Sequence, residues 1–109
     1  MPGDQVQAKT SDVTQGMEGL LPKKMILYAN YPNPFNPITT IRYELSAKSH
    51  VSMKIFDLLG REIVTLVDDA KPEGIYSVQI NAGTLSSGMY FCRLQAGTSV
   101  AVGKLMLVK

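Results

Sequence analysis

The stretch Asn30-Tyr31-Pro32-Asn33-Pro34-Phe35-Asn36-Pro37 limits what this chain can fold into more than any other. Three prolines in six positions exclude a helix, because each ring removes an amide donor and disfavours the α region for the residue before it. They exclude a central strand as well. Pro32 and Pro34 share a parity, so in an extended chain their missing N–H groups lie along one edge that cannot pair. The amides of Tyr31, Asn33 and Phe35 are left on the other edge, available to one neighbour. Pro37 then forces a change of direction, and Asn36 before it suits a turn. The stretch reads as a rigid edge that joins a β-domain once and offers nothing to a second chain.

Composition narrows the function. A chain of 109 residues with 45% hydrophobic content holds one globular domain at most. The net charge of +2 is spread over scattered Lys and Arg, with no stripe for a nucleic-acid backbone and no polybasic patch for a membrane surface. No apolar run approaches the ~20 residues that cross a bilayer as a helix, so direct membrane insertion is not expected. The polar N-terminus lacks the apolar centre of a secretory signal. A single cysteine, Cys92, excludes an internal disulfide and a multi-cysteine zinc site.

Residues Met1–Lys24 read as a polar linker or tail from an upstream domain. Their few apolar residues hold neither a helical nor a strand period for long. Gly16 and Gly19 count against a short helix over Val13–Leu20. From Met25 onward, strand patterns recur at the spacing of an all-β sandwich. Met25–Tyr31 leads into the prolines. Thr39–Leu45 places Ile41, Tyr43 and Leu45 on one face. Val51, Met53 and Ile55 face inward in the next strand, with His50, Ser52 and Lys54 toward water. Asp57-Leu58-Leu59-Gly60-Arg61 makes the connection, with Gly60 as the left-handed residue. Glu62–Asp68 is a strand whose register is open, because Ile63, Val64, Leu66 and Val67 are apolar on both parities.

A polar loop over Asp69–Gly74 precedes Ile75–Ile80, where Tyr76, Val78 and Ile80 share a face. Leu85 plugs the end of the core from the loop Asn81–Ser87. Gly88–Gln95 carries Tyr90, Cys92 and Leu94 inward, and Ala96-Gly97 turns the chain into Thr98–Lys109. There Val100 and Val102 lie on one parity, Leu105 and Leu107 on the other. A β-bulge near Gly103 would bring both pairs to the core. Seven short antiparallel strands predict an immunoglobulin-like β-sandwich over residues 25–109, without the usual disulfide or core tryptophan. Such a module has about 4–13 kcal/mol of stability and little room for a deep catalytic cleft.

Several of these segments together carry a resemblance. The string Asn30–Pro37 followed by Thr39-Thr40-Ile41-Arg42-Tyr43 resembles the opening of the type A C-terminal sorting domain of the type IX (Por) secretion system. So do Val51–Phe56 with Asp57-Leu58-Leu59-Gly60-Arg61-Glu62, Gly74 before a strand, Ser87-Gly88-Met89-Tyr90-Phe91, and Lys104 near the end. The likeness is collinear from about Tyr28 to Lys109. The immunoglobulin-like domain of flagellar hook-capping proteins is a related module. Ile38 stands where a small polar residue is common, and Cys92 where an aromatic is common.

The resemblance implies an address rather than a reaction. Domains of this kind end secreted proteins of Bacteroidota and related phyla, and are read by the outer-membrane translocon. A sortase-like peptidase often removes them, and the upstream cargo domain is released or joined to the cell surface. It implies an extracellular or cell-surface destination, no cofactor, and Asn33, Pro34, Phe35, Asn36, Pro37, Gly60, Gly88, Tyr90, Gly103 and Lys104 as candidate recognition residues. A bulge at Gly103 would aim the Lys104 ammonium off the sheet.

Other chemistries compare poorly with plainer readings. His50, the only histidine, lies beside Ser49 and Ser52 on the outward parity, but a Ser–His pair also needs an orienting carboxylate and an oxyanion site. Cys92 reads as a buried small hydrophobe rather than a reactive thiol. Asp68, Asp69 and Glu73 lack the alternating spacing of a calcium loop. Tyr28, Tyr31 and Phe35 could stack on a sugar in an accessory glycan- or protein-binding module, the alternative function, although pinning of the proline segment is preferred. Leu58 and Leu59 fit equally a core cap and an exposed patch.

Overall fold

The computed structural model describes residues 25–109. The linker expected over Met1–Lys24 lies outside the described residues. Seven strands follow in order: β1 Met25–Leu27, β2 Ile38–Leu45, β3 Ser49–Phe56, β4 Glu62–Lys71, β5 Gly74–Asn81, β6 Gly88–Ala96 and β7 Ser99–Leu107. They form a three-stranded sheet in the order β1-β2-β5 and a four-stranded sheet in the order β4-β3-β6-β7. Every pairing is antiparallel. This is the immunoglobulin-like sandwich that the strand spacing predicts. In constant-type immunoglobulin domains the fourth strand lies beside the fifth; here β4 lies beside β3.

The core follows the period-two alternation. Ile41, Tyr43 and Leu45 of β2 meet Val51, Met53 and Ile55 of β3 and Tyr90, Cys92 and Leu94 of β6 in one buried cluster. Ile80 is buried with them, while Val78 and Leu85 are only partly covered. Tyr43 and Tyr76, register partners in β2 and β5, stack with ring centroids 5.2 Å apart. Tyr90 Oη donates to the Ser86 carbonyl at 2.6 Å, which ties the start of β6 to the loop before it. That geometry matches the tyrosine corner of immunoglobulin-like sandwiches, where a tyrosine two residues before the second cysteine position bonds back upstream. Cys92 stands at that second position.

Four local expectations are corrected. The β-bulge near Gly103 is absent: the β6–β7 ladder runs unbroken from Gly88↔Leu107 to Ala96↔Ser99. Val100 and Val102 therefore face outward, 55% and 60% exposed, while Ala101, Gly103, Leu105 and Leu107 face inward. The inner positions Ala101 and Gly103 are small; a Cβ on Gly103 would stand 3.5 Å from Leu27 Cδ2, at ordinary contact distance. Bulges occur instead in β4. The register shifts between Met53 and Lys54 and between Ile55 and Phe56 loop out Leu66 and Ile63, which explains apolar residues on both parities.

The polar loop is shorter than expected, because Asp69, Ala70 and Lys71 continue β4 against Ser49–Val51. The charge of these residues is tolerated on an edge strand facing water. At the other end, Met25–Tyr31 is a strand only as far as Leu27. The Tyr28 amide still donates to the Arg42 carbonyl at 3.0 Å, and the chain crosses toward the second sheet only beyond Tyr31. The last hairpin turns at Gly97-Thr98, with Gly97 at φ 61°.

Candidate functional site

The proline segment is fastened from below by two buried polar residues. Thr39 shares the parity of Ile41, Tyr43 and Leu45, so its hydroxyl points into the core and needs a partner there. It donates to the Pro32 carbonyl at 2.8 Å and accepts from Asn30 Nδ2 at 3.0 Å. These are the two buried polar side chains among the described residues, and both hold the same short stretch. Neither stands among the recognition candidates read from the sequence. A threonine in an otherwise apolar stripe was the available signal.

Above this anchor the segment joins both sheets. Tyr31 exchanges backbone hydrogen bonds with Thr40 of β2, each 3.0 Å long. Four residues later Phe35 donates to Met106 and accepts from Val108, each at 2.9 Å, in a parallel bridge on the outer edge of β7. The expectation of one neighbour is thus corrected to two, because the chain crosses between sheets inside the stretch. Between these contacts the Asn33 carboxamide does the work of a peptide group. Its Oδ1 accepts from the Met106 amide at 3.0 Å, and its Nδ2 donates to the Lys104 carbonyl at 3.4 Å. Phe35 inserts between the sheets and is 3% exposed.

The terminal strand is therefore clamped along its last residues. Lys109 adds a further tie: its amide donates to Ser87 Oγ at 3.0 Å and its Nζ to the Gly83 carbonyl at 2.7 Å. Lys104 lies between the clamp and the open part of β7. It is exposed and faces outward by ordinary strand alternation, not by a bulge, and it forms no ion pair among the described residues. Beside it a groove of about 410 Å³ opens between β1 and β7, with Leu27, Ile41, Cys92, Ala101, Gly103 and Leu105 among its lining. Thus Asn33, Phe35, Gly103 and Lys104 come together around one strand.

Of the remaining candidates, only Gly60 lies apart from this strand and its neighbours. Pro34 and Asn36 are exposed in the segment, and the half-buried Pro37 accepts from the Ala82 amide at 2.8 Å. Gly88 and Tyr90 pair with Leu107 and Leu105, so they back the clamped strand from the β6 side, whereas Gly60 lies in the turn beyond β3. Gly60, at φ 81°, closes the turn that Asp57 organises. The Asp57 carboxylate accepts from the Leu59 and Arg61 amides and pairs with the Arg61 guanidinium at 2.8 Å. The Arg61 amide foremost holds its carboxyl below the usual value. Leu58 and Leu59 are exposed at this tip, 67% and 77%, so they are a surface patch and not a core cap. They border a recess of about 210 Å³ with Gly88, Met89 and Tyr90.

The alternative chemistries separate in the same way. His50 Nε2 lies 2.7 Å from Asp68 Oδ1, a carboxylate that the sequence reading did not pair with it. Ser49, however, donates its hydroxyl to the Ala47 carbonyl, and the His50–Asp68 pair stands on an exposed face. Asp69 accepts from the Ala70 amide, and Asp68, Asp69 and Glu73 form no metal-ligating group among the described residues. Cys92 is buried, and burial pushes its thiol up to about 12. Tyr28 donates to Glu44 at 2.7 Å with Arg42 over its ring, while Tyr31 is 82% exposed. With Phe35 buried, these three aromatics form no common platform.

Among solved structures, the chain is similar to the Ig1 domain of mouse SynCAM 2, at 9% identity and a TM-score of 0.37. That likeness covers 73% of this chain and 95% of the other; the fold assignment rests on the sheets described above. A search of curated proteins finds no match. The model of the secretion system C-terminal sorting domain matches residues 29–109, which begins at the anchor of the proline segment and runs through the clamped terminal strand. The chain belongs to the family of type IX secretion C-terminal sorting domains.

Proposed function

We propose that residues 25–109 are a non-catalytic signal domain that directs an upstream cargo through the outer membrane by type IX secretion. The outer-membrane translocon reads the folded domain, a sortase-like peptidase removes it, and the cargo is released or attached at the cell surface. Family membership supports the export role. The observation that carries the reading of the surface is the clamp: Asn33 and Phe35 hold the terminal strand in one place while Lys104 stays exposed beside them. A receptor that recognises a folded module needs a surface presented without conformational cost, and a pinned strand supplies it. The accessory binding-module reading is less well supported, because the aromatic residues it needs are separated and partly buried.

The test is a reporter with a signal peptide fused upstream of the whole chain in a type IX-competent host. The expected result is reporter on the cell surface or in the medium. Retention in the periplasm, with the domain folded, contradicts the proposal. The fusion keeps Met25, because that residue is buried in the core at the start of β1.

A further inference from the structure

The outer edge of β7 is divided. Met106 turns both its amide and its carbonyl away from β6, toward Asn33 and Phe35. The ladder is unbroken, so residues of the same parity turn their backbone groups the same way. Val100 and Val102 thus present an N–H and a C=O each on this edge, and Lys104 presents its N–H. Among the described residues no strand pairs with them, since β7 is the last strand of its sheet. Open edges are normally blunted by charge, bulges or prolines. β4, at the opposite edge, carries two bulges and the acidic pair Asp68 and Asp69. The open part of β7 has Lys104 at one end, two outward valines, and neither bulge nor proline.

We propose that this edge takes an extended peptide strand from the partner that reads the domain, and that the strand adds beside Val100–Lys104. The inference rests on the reading of the domain as a recognised export signal and gives the mode of recognition. Three observations select an extended peptide as the occupant. The adjoining length of the same edge already accepts one, the chain's own proline segment, which buries Phe35 between the sheets. The groove of about 410 Å³ lies directly upstream, where inward side chains of an added strand would point. The apolar part of its lining, Leu27, Ile41, Cys92 and Leu105, suits an aromatic or aliphatic side chain, beside the polar Asn30 and Asn33. Finally, β6 and β7 carry Arg93 and Lys104 and no carboxylate, so the outward side chains of the added strand should include an acidic one near Lys104. In this mode main-chain hydrogen bonds give affinity and alternate side chains give specificity.

The probe is the synthetic peptide acetyl-Thr-Phe-Glu-Phe-Thr-amide, titrated into the isotope-labelled whole chain and followed by NMR. The Val100, Val102 and Lys104 amides should shift together and exchange more slowly with solvent. Val102→Pro removes an outward N–H while leaving the β6 ladder intact, and should weaken binding at least tenfold. Val102→Thr should bind as the native chain does, which controls for the loss of the valine side chain. Shifts confined to other residues, or undiminished binding by a folded Val102→Pro, would overturn the proposal. So would a concentration-dependent dimer of the free chain that protects the same amides. In the reporter fusion, a folded Val102→Pro should lose surface display at least tenfold. Full display of that variant sinks this inference and leaves the sorting function standing, whereas failure of the native fusion removes the sorting function itself.

Discussion

The side chain of Asn33 stands in for a strand against Met106, accepting its amide at 3.0 Å while reaching the Lys104 carbonyl with the other end of the same carboxamide. A carboxamide is the one side-chain group that reproduces both the donor and the acceptor of a peptide unit. This lets a stretch interrupted by prolines cover a sheet edge that its own backbone could not pair throughout.

Asn33→Asp keeps the acceptor for Met106 and loses the donor to Lys104, whereas Asn33→Ala loses both. Each exposed hydrogen bond of this kind contributes about 0.5–1.5 kcal/mol. Denaturant melts should therefore rank native above Asp above Ala, and the Met106 amide should exchange fastest in Asn33→Ala. Equal exchange of that amide in all three proteins would show that Phe35 alone holds the edge.

Ile55 is 2% exposed near the end of β3, the strand between β4 and β6. Ile55→Ala should cost about 2–5 kcal/mol through the cavity it leaves. A loss under about half a kcal/mol in denaturant melts would mean that the core collapses around the gap.

Cys92 is buried, and its thiol is pushed from an ordinary 9.0 up to about 12 by desolvation. The folded state therefore keeps its proton where the unfolded state has lost it. The thiol's contribution is fully present below the unfolded value and is lost as pH rises toward the folded one. Stability of the native chain should fall more steeply between pH 9.0 and about 12 than that of Cys92→Ala. Identical slopes in urea melts would contradict this, and so would fast labelling of the folded chain by a thiol reagent at about pH 8.

How much of this was legible in the sequence depends on what kind of information each feature carries. The inward faces of β2, β3 and β6 could be read because Ile41, Met53 and Leu94 sit in strict alternation with polar residues. β7 was misread at Val100 and Val102 because its inner positions are Ala101 and Gly103, small residues that carry no apolar signal. What lies opposite Gly103 is Leu27, far away in the chain, and periodicity within one strand cannot show that. The β4 register was open for a related reason: its bulges at Ile63 and Leu66 are set by pairing with β3. The proline segment was recognised as an edge from its own residues. Its second neighbour was not, since the Asn33–Met106 contact joins positions 73 residues apart.

On the proposed reading, the export machinery recognises the exposed face of the clamped terminal strand, with Lys104 on it. Deleting the strand tests this poorly, because Leu105 and Leu107 belong to the core and their loss would unfold the domain. A single surface substitution isolates the question. Lys104→Ala should change stability by under about half a kcal/mol, as other exposed substitutions do. The decisive measurement is the ratio of surface to periplasmic reporter for the Lys104→Ala fusion against the native fusion. Periplasmic accumulation of the variant at an unchanged melting temperature is expected. Native surface display by Lys104→Ala would contradict the proposed reading.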